Sequence, residues 1–225
     1  MQNQALHGRG ESSKMPLLHW SPRSPYVRKV MVALREKGLA DQVETIRTHA
    51  DPMIPHPGLM AINPLSKIPT LELEDGRVLF DSHVICRWAD ETGPLGPRLF
   101  PEGTAGLEAE RDEALGTGLL DVALPWLVEA RMRPEAQRSP QMIEVYRTKL
   151  NRVADWLEGH VPRLEARPFD IGHLTIGVAL TYLDFRFEAE AWRTGRPHLA
   201  AWHRDFAARP AALAEPFRDD PRPQG

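Results

Sequence analysis

Ile62-Asn63-Pro64-Leu65-Ser66-Lys67-Ile68-Pro69-Thr70-Leu71, with Phe80-Asp81-Ser82 a little further on, is the most informative part of the chain. It runs as turn, lysine, one apolar residue, proline and strand, then a second turn that closes on an acid and a serine. Pro69 donates no ladder hydrogen bond and has no place inside a free-standing central strand. It makes sense where the Ile68–Pro69 bond is cis and the chain turns, leaving the Ile68 amide and carbonyl unpaired and facing outward. Such a backbone pair can take a peptide-like ligand as an added strand. Asp81 and Ser82 suit an amine and a carboxylate, so the two turns together predict a pocket for a small zwitterionic peptide.

Outward from that stretch, the elements alternate. Leu17-Leu18-His19-Trp20 reads as a buried strand, and Val27, Val30, Met31 and Leu34 carry the spacing of an amphipathic helix that Gly38 stops. Residues 43–47 give a second strand, and the proline-rich residues 51–60 a loop or broken helix. Asp75-Gly76, between apolar runs, signals a hairpin with a two-residue loop. Val84, Ile85 and Trp88 open a helix that ends by Gly93-Pro94. Strand, helix, strand, loop, hairpin and helix make a small α/β layer.

Residues 94–106 are rich in proline and glycine, and no strand pattern follows them. Residues 107–131 read as a helix interrupted at Pro125. Met142, Val145, Tyr146, Leu150, Val153 and Leu157 mark an amphipathic helix, and residues 171–187 are apolar on most faces, as at the centre of a bundle. Leu199, Trp202 and Phe206 mark a last helix. The expected organisation is a disordered tail at 1–14 (Met15 being an alternative start), an α/β domain at 15–97, a linker at 98–106 and an all-helical domain at 107–225, with residues 219–225 frayed.

Composition narrows the function classes. The 28 basic and 31 acidic residues give a net charge of −3, with no sign of a nucleic-acid partner. No apolar run approaches the ~18 residues of a membrane span, and residues 1–14 lack the apolar core of a signal peptide. The single cysteine, Cys86, excludes an internal disulfide and fits a reducing, cytoplasmic compartment. The nine histidines show no metal-ligand spacing.

Three local patterns, in this order and spacing, resemble the glutathione S-transferases over roughly residues 16–215. They are Ser21-Pro22-Arg23-Ser24-Pro25-Tyr26-Val27-Arg28-Lys29-Val30, then Asn63-Pro64-Leu65-Ser66-Lys67-Ile68-Pro69, then Asp81-Ser82, where the family more often has Glu-Ser. Glu129-Ala130-Arg131-Met132-Arg133-Pro134, with Asp121, is similar to a bacterial branch whose function is poorly defined. The resemblance implies a thioredoxin-like α/β domain followed by an all-α domain, glutathione as co-substrate, a hydrophobic electrophile as second substrate, and a homodimer.

The chemistry so implied is attack by the glutathione thiolate on an electrophile. A free thiol, with a pKa of about 8.5, is only ~3% ionised at pH 7. Lowering that value by two units takes roughly 2.7 kcal/mol of preferential thiolate stabilisation. A hydroxyl at a helix N-terminus can supply much of it. Ser24 precedes Pro25 and so stands at an N-cap, which makes it the candidate donor, with Ser21 as runner-up; a plain capping serine is the alternative. No cysteine stands at this site, which argues against the thiol-exchange branch, and Tyr26 lies too far into the helix. By the same resemblance the Ile68 backbone, held beside Pro69, pairs with the cysteinyl part of glutathione and Lys67 lies near a carboxylate. Ser82 takes the γ-glutamyl carboxylate and caps the helix beginning at His83, and Asp81 lies near the amine. Residues of the first long helix such as Leu119, Leu120 or Trp126 face the second substrate, or are equally core or dimer contacts.

Three further readings complete the picture. Cys86 is a small core residue. His198 and His203 lie at the surface. Asp170 caps the buried helix, with His173 where the family has the reciprocal acid. Two other function classes stay open: a glutathione-dependent isomerase, peroxidase or dehalogenase, and a non-catalytic interaction or regulatory module.

Overall fold

The computed structural model describes residues 15–220, so the expected tail at 1–14 and the last five residues lie outside it. The chain divides into two compact units, one running through Leu95 and rejoined by the segment from Arg218, the other Gly96–Phe217.

In the first unit β1 (Leu17–Trp20), α1 (Pro25–Glu36) and β2 (Glu44–Arg47) form a βαβ turn, followed by α2 (Pro57–Met60), β3 (Thr70–Glu72), β4 (Val78–Leu79) and α3 (Ser82–Thr92). The sheet order is β2-β1-β3-β4, with β1–β2 parallel and the other two pairings antiparallel. The architecture is the small mixed α/β layer of a thioredoxin-like domain. α1 packs beside α3, and Leu18, Val27, Val30, Leu34, Leu71, Ile85 and Cys86 are fully buried between sheet and helices. Gly38, at φ +70°, ends α1 in a Schellman motif: its amide bonds Arg35 O at 3.1 Å, and Leu39 N bonds Leu34 O at 2.8 Å.

The β3–β4 hairpin departs from the two-residue loop. Leu73 N bonds Arg77 O at 2.8 Å and Gly76 N bonds Leu73 O at 3.1 Å, so the loop is Glu74-Asp75-Gly76. Gly76 takes the left-handed position (φ +84°), and Asp75 accepts from Arg77 N, which favours a type I turn with a glycine bulge over the tighter loop.

The second unit is helical: α4 (Gly103–Leu127), a widened π turn at Val128–Met132, α5 (Pro140–Glu165), α6 (Ile171–Phe187), α7 (Pro197–Ala207) and the short α8 (Pro210–Leu213). α6 is the central element, buried continuously from Ile171 to Leu180. Small residues allow α4 to approach it: a Cβ on Gly116 would lie 2.8 Å from the Thr175–Ile176 backbone. Leu119, Leu120 and Trp126 are core residues here, Trp126 with its ring 4.6 Å from Phe187.

The start of α6 is a capping box in which histidine does the acid's work. Asp170 accepts from His173 N at 3.1 Å, and His173 Nδ1 returns to Asp170, 3.2 Å from its amide and 2.7 Å from Oδ1. Arg167 bridges Asp170 (2.8 Å) and the fully buried Asp112 (2.6 Å). His203 is buried, contrary to its reading as a surface residue: Thr181 Oγ1 at 3.0 Å and Arg193 at 3.1 Å satisfy its two nitrogens, and Trp192 packs edge-on. The chain end is likewise not frayed at Asp220, which is bonded to Arg23 and Arg47.

Candidate functional site

The sheet register gathers the predicted residues. β1 pairs His19 with Thr70, so the loop leaving β1 at Ser21 and the loop entering β3 through Ile68 and Pro69 emerge at one end. β3 pairs Leu71 with Leu79, so the chain leaving β4 toward Asp81 emerges there too. Neighbouring strands lie about 4.8 Å apart, which brings the three loops within roughly 10 Å of each other.

Ser24 is the N-cap of α1. Its hydroxyl oxygen accepts from Val27 N at 3.3 Å, and its amide bonds Ser21 O at 3.3 Å, closing a turn. Accepting from a helix amide leaves the hydroxyl proton for an outside acceptor, and α1's free amides add a positive end. Ser21 is more deeply buried, and its hydroxyl accepts from Arg23 N at 3.4 Å.

The Ile68–Pro69 bond is cis, as is Phe80–Asp81. Among the described residues neither the Ile68 amide nor its carbonyl forms a hydrogen bond. Lys67 is exposed, and its carbonyl accepts from Asn63 Nδ2 at 3.1 Å and Thr70 Oγ1 at 2.8 Å. Asn63 is almost wholly buried; it also donates to Thr70 Oγ1 at 2.8 Å and accepts from Leu65 N at 3.0 Å. It thus fixes the loop that presents Ile68. In the sequence the only signal for this role is the Asn63-Pro64 pair, a turn starter.

At α3 the cap is Asp81, not Ser82. Asp81 Oδ1 accepts from His83 N at 3.0 Å, and Ser82 is the first helical residue. Ser82 is buried, and its hydroxyl has no partner among the described residues. A hydroxyl and free helix amides at one N-terminus form an anion site, with the Asp81 carboxylate at its rim.

A glutathione S-transferase N-terminal domain model matches residues 23–92, and a glutathione S-transferase C-terminal domain model residues 112–205. The uncharacterized GST-like protein YibF of Escherichia coli (strain K12) is 34% identical over 180 residues, spanning 78% of this chain and 86% of that one. The chain belongs to the glutathione S-transferase family. A crystal structure of a glutathione transferase family member from Pseudomonas fluorescens Pf-5, with bound glutathione, superimposes with a TM-score of 0.86 at 35% identity, covering 91% of this chain and all of that one. A Methylobacillus flagellatus KT glutathione S-transferase, with GSH bound, gives 0.80 at 30% identity over 89% of this chain and 98% of that one. The glutathione S-transferase fold accounts for both units, the mixed sheet with α1 and α3 and the bundle around α6.

Proposed function

We propose that this chain binds reduced glutathione at the shared end of β1, β3 and β4 and transfers its thiolate to a hydrophobic electrophile. The observation that carries the reading is the Ile68 backbone, an amide and a carbonyl both without partners among the described residues, on the same sheet end as two helix N-termini. A γ-glutamyl-cysteinyl-glycine ligand needs what stands there. Ile68 pairs with its cysteinyl amide and carbonyl. Ser82 and the first amides of α3 take the γ-glutamyl carboxylate, Asp81 lies near its amine, and Lys67 faces the second carboxylate. Ser24 donates a hydrogen bond from its hydroxyl to the sulfur and favours the thiolate. The two solved relatives carrying glutathione support the same ligand here. By family habit the proposal extends to a homodimer, and the buried, single Cys86 fits a cytoplasmic setting.

Calorimetric titration with reduced glutathione tests the reading. Saturable binding with one site per chain is expected, after which a panel of electrophiles identifies turnover. No heat of binding up to several millimolar would overturn the transferase reading in favour of a non-catalytic interaction module.

A further inference from the structure

At the same end of the sheet two arginines from separate elements converge on one carboxylate. Arg23, in the loop just before Ser24, donates from Nε to Asp220 Oδ1 at 2.7 Å and from its terminal nitrogen to the Asp220 carbonyl at 2.8 Å. Arg47, the last residue of β2, donates from Nε to Asp220 Oδ2 at 2.5 Å. The register places Arg47 beside Trp20, the residue from which the Ser21–Ser24 loop departs. Its backbone is well fixed: Thr48 N bonds Trp20 O at 2.9 Å, and Thr48 Oγ1 lies 2.8 Å from the buried ring of His19. Arg218 N bonds Pro22 O at 3.2 Å, so residues 218–220 lie along the loop that carries Ser24.

We propose that Arg23 and Arg47 form an anion subsite beside Ser24, that Asp220 occupies it as a tethered stand-in, and that its intended ligand is a carboxylate on the electrophile or on the glutathione conjugate. The inference rests on the glutathione reading above, and names the chemistry of the second substrate.

Three features distinguish an exchangeable subsite from a permanent clamp. The groups are partly open to water, with side-chain exposures of 22% for Arg23, 30% for Arg47 and 27% for Asp220. Ion pairs this exposed are screened and hold weakly. Each guanidinium has five N–H donors, and among the described residues the bonds to Asp220 and to Thr48 O leave several unspent on both arginines. The occupant stays anionic throughout the working range, because the bond from Arg47, reinforced by Arg23, holds its carboxyl down to about 2 against the opposing effect of burial. A planar fork that accepts this carboxylate accepts another of the same shape.

Competition is close to even. A carboxylate on a short flexible tether has an effective concentration on the order of millimolar. The carboxylate of a bound glutathione conjugate is tethered in the same way, through the rest of the ligand. Free monocarboxylates, lacking that tether, do not displace Asp220 at low concentration. Removing the Asp220 charge hands the subsite to the ligand.

The test compares S-carboxymethylglutathione with its neutral isostere S-carbamoylmethylglutathione by calorimetry, on the wild-type protein, Asp220→Asn, and Asp220→Asn combined with Arg47→Gln. In Asp220→Asn the affinity ratio of acid to amide should rise about tenfold over wild type, the size of losing one tethered competitor. Arg47→Gln should abolish that gain. Asp220→Ala repeats the measurement without the amide side chain. If both conjugates bind and the ratio stays unchanged in both Asp220 variants, the subsite is refuted while the glutathione site stands. If neither conjugate binds to any protein, the glutathione reading itself has failed. A gain that survives Arg47→Gln would also overturn the assignment.

Discussion

The Asn63 side-chain amide donates to Thr70 Oγ1 at 2.8 Å, inside the loop that carries Lys67, Ile68 and Pro69. The Thr70 hydroxyl donates in turn to the Lys67 carbonyl, which also accepts from Asn63. Loop shape is thereby set from beneath, by side chains bonded within the loop itself. Asn63→Ala removes three hydrogen bonds from the loop, leaving, among the described residues, the Thr70 hydroxyl and the Lys67 carbonyl bonded only to each other and Leu65 N without its side-chain partner, at a cost of about 1–3 kcal/mol in stability. The same change should weaken glutathione binding severalfold while kcat at saturation stays near wild type. Chemical unfolding and calorimetry read the two effects; an unchanged affinity would detach Asn63 from the site.

Ser24→Ala removes the hydrogen bond proposed to reach the thiolate, worth about 1.5–3 kcal/mol for a charged acceptor. We expect kcat at neutral pH to fall roughly ten- to hundredfold with little change in glutathione affinity. The rising limb of the rate–pH profile should move to higher pH, because the thiol is then harder to ionise. Ser21→Ala, measured beside it, decides between the two serines: equal turnover in Ser24→Ala and wild type, with loss in Ser21→Ala, would transfer the role.

Asp81 caps α3 and precedes Ser82, the residue proposed to take the γ-glutamyl carboxylate. Asp81→Ala should cost about 1 kcal/mol through the lost cap. It should also weaken glutathione at least severalfold, whereas Asp81→Asn keeps the cap and loses only the charge. An Asn variant that binds glutathione as tightly as wild type would refute the contact with the amine.

Lys37, at the end of α1, meets Asp90 of α3 at 3.1 Å with both side chains almost fully buried. Removing one partner leaves a buried charge, so Asp90→Ala should destabilise the protein by about 3–5 kcal/mol. Replacing both with apolar residues of similar volume should cost clearly less than the single change. Urea unfolding of the single and double variants makes the comparison.

Asp170 titrates below its ordinary 3.8: burial pushes it up, but the hydrogen bonds and charge of His173 and the charge of Arg167 outweigh burial. Its contribution to stability is therefore complete above 3.8, the unfolded value, and is lost as pH falls through the lower folded value. The stability difference between wild type and Asp170→Asn should stay constant from neutral pH down to about 5 and close below that. A difference that persists unchanged into strong acid would remove the ionised carboxylate from the cap.

Local chemistry was legible in the sequence wherever one residue dictates its own backbone. Pro69 announced the turn, Gly38 the end of α1, and the unbroken apolar run of α6 its central place. Where neighbours compete for one job, the sequence does not choose: Asp81 and Ser82 are comparable N-cap residues, and the backbone settled on the first. Long-range pairing was illegible. His203 is polar on an amphipathic helix and reads as exposed, yet Thr181 and Arg193, from other parts of the bundle, make burial affordable. Asp220 reads as a tail residue because its partners, Arg47 and Arg23, are 173 and 197 positions away. Asn63 sits in plain view within its motif, but only the folded loop reveals that its two donors and one acceptor are all spent on one turn.

Leu71 points into the core from the middle of β3, opposite Leu18 on one side and Leu79 on the other. A strand's faces alternate residue by residue, so a slip of one position would expose Leu71 and carry Ile68 out of phase with Ser24 and Asp81. The hydrophobic interior therefore serves as the gauge against which the ligand site is cut. Substitutions at Leu18 or Leu71 that keep the protein folded but shift this pairing should present as binding defects, with the damaged residue nowhere near the ligand.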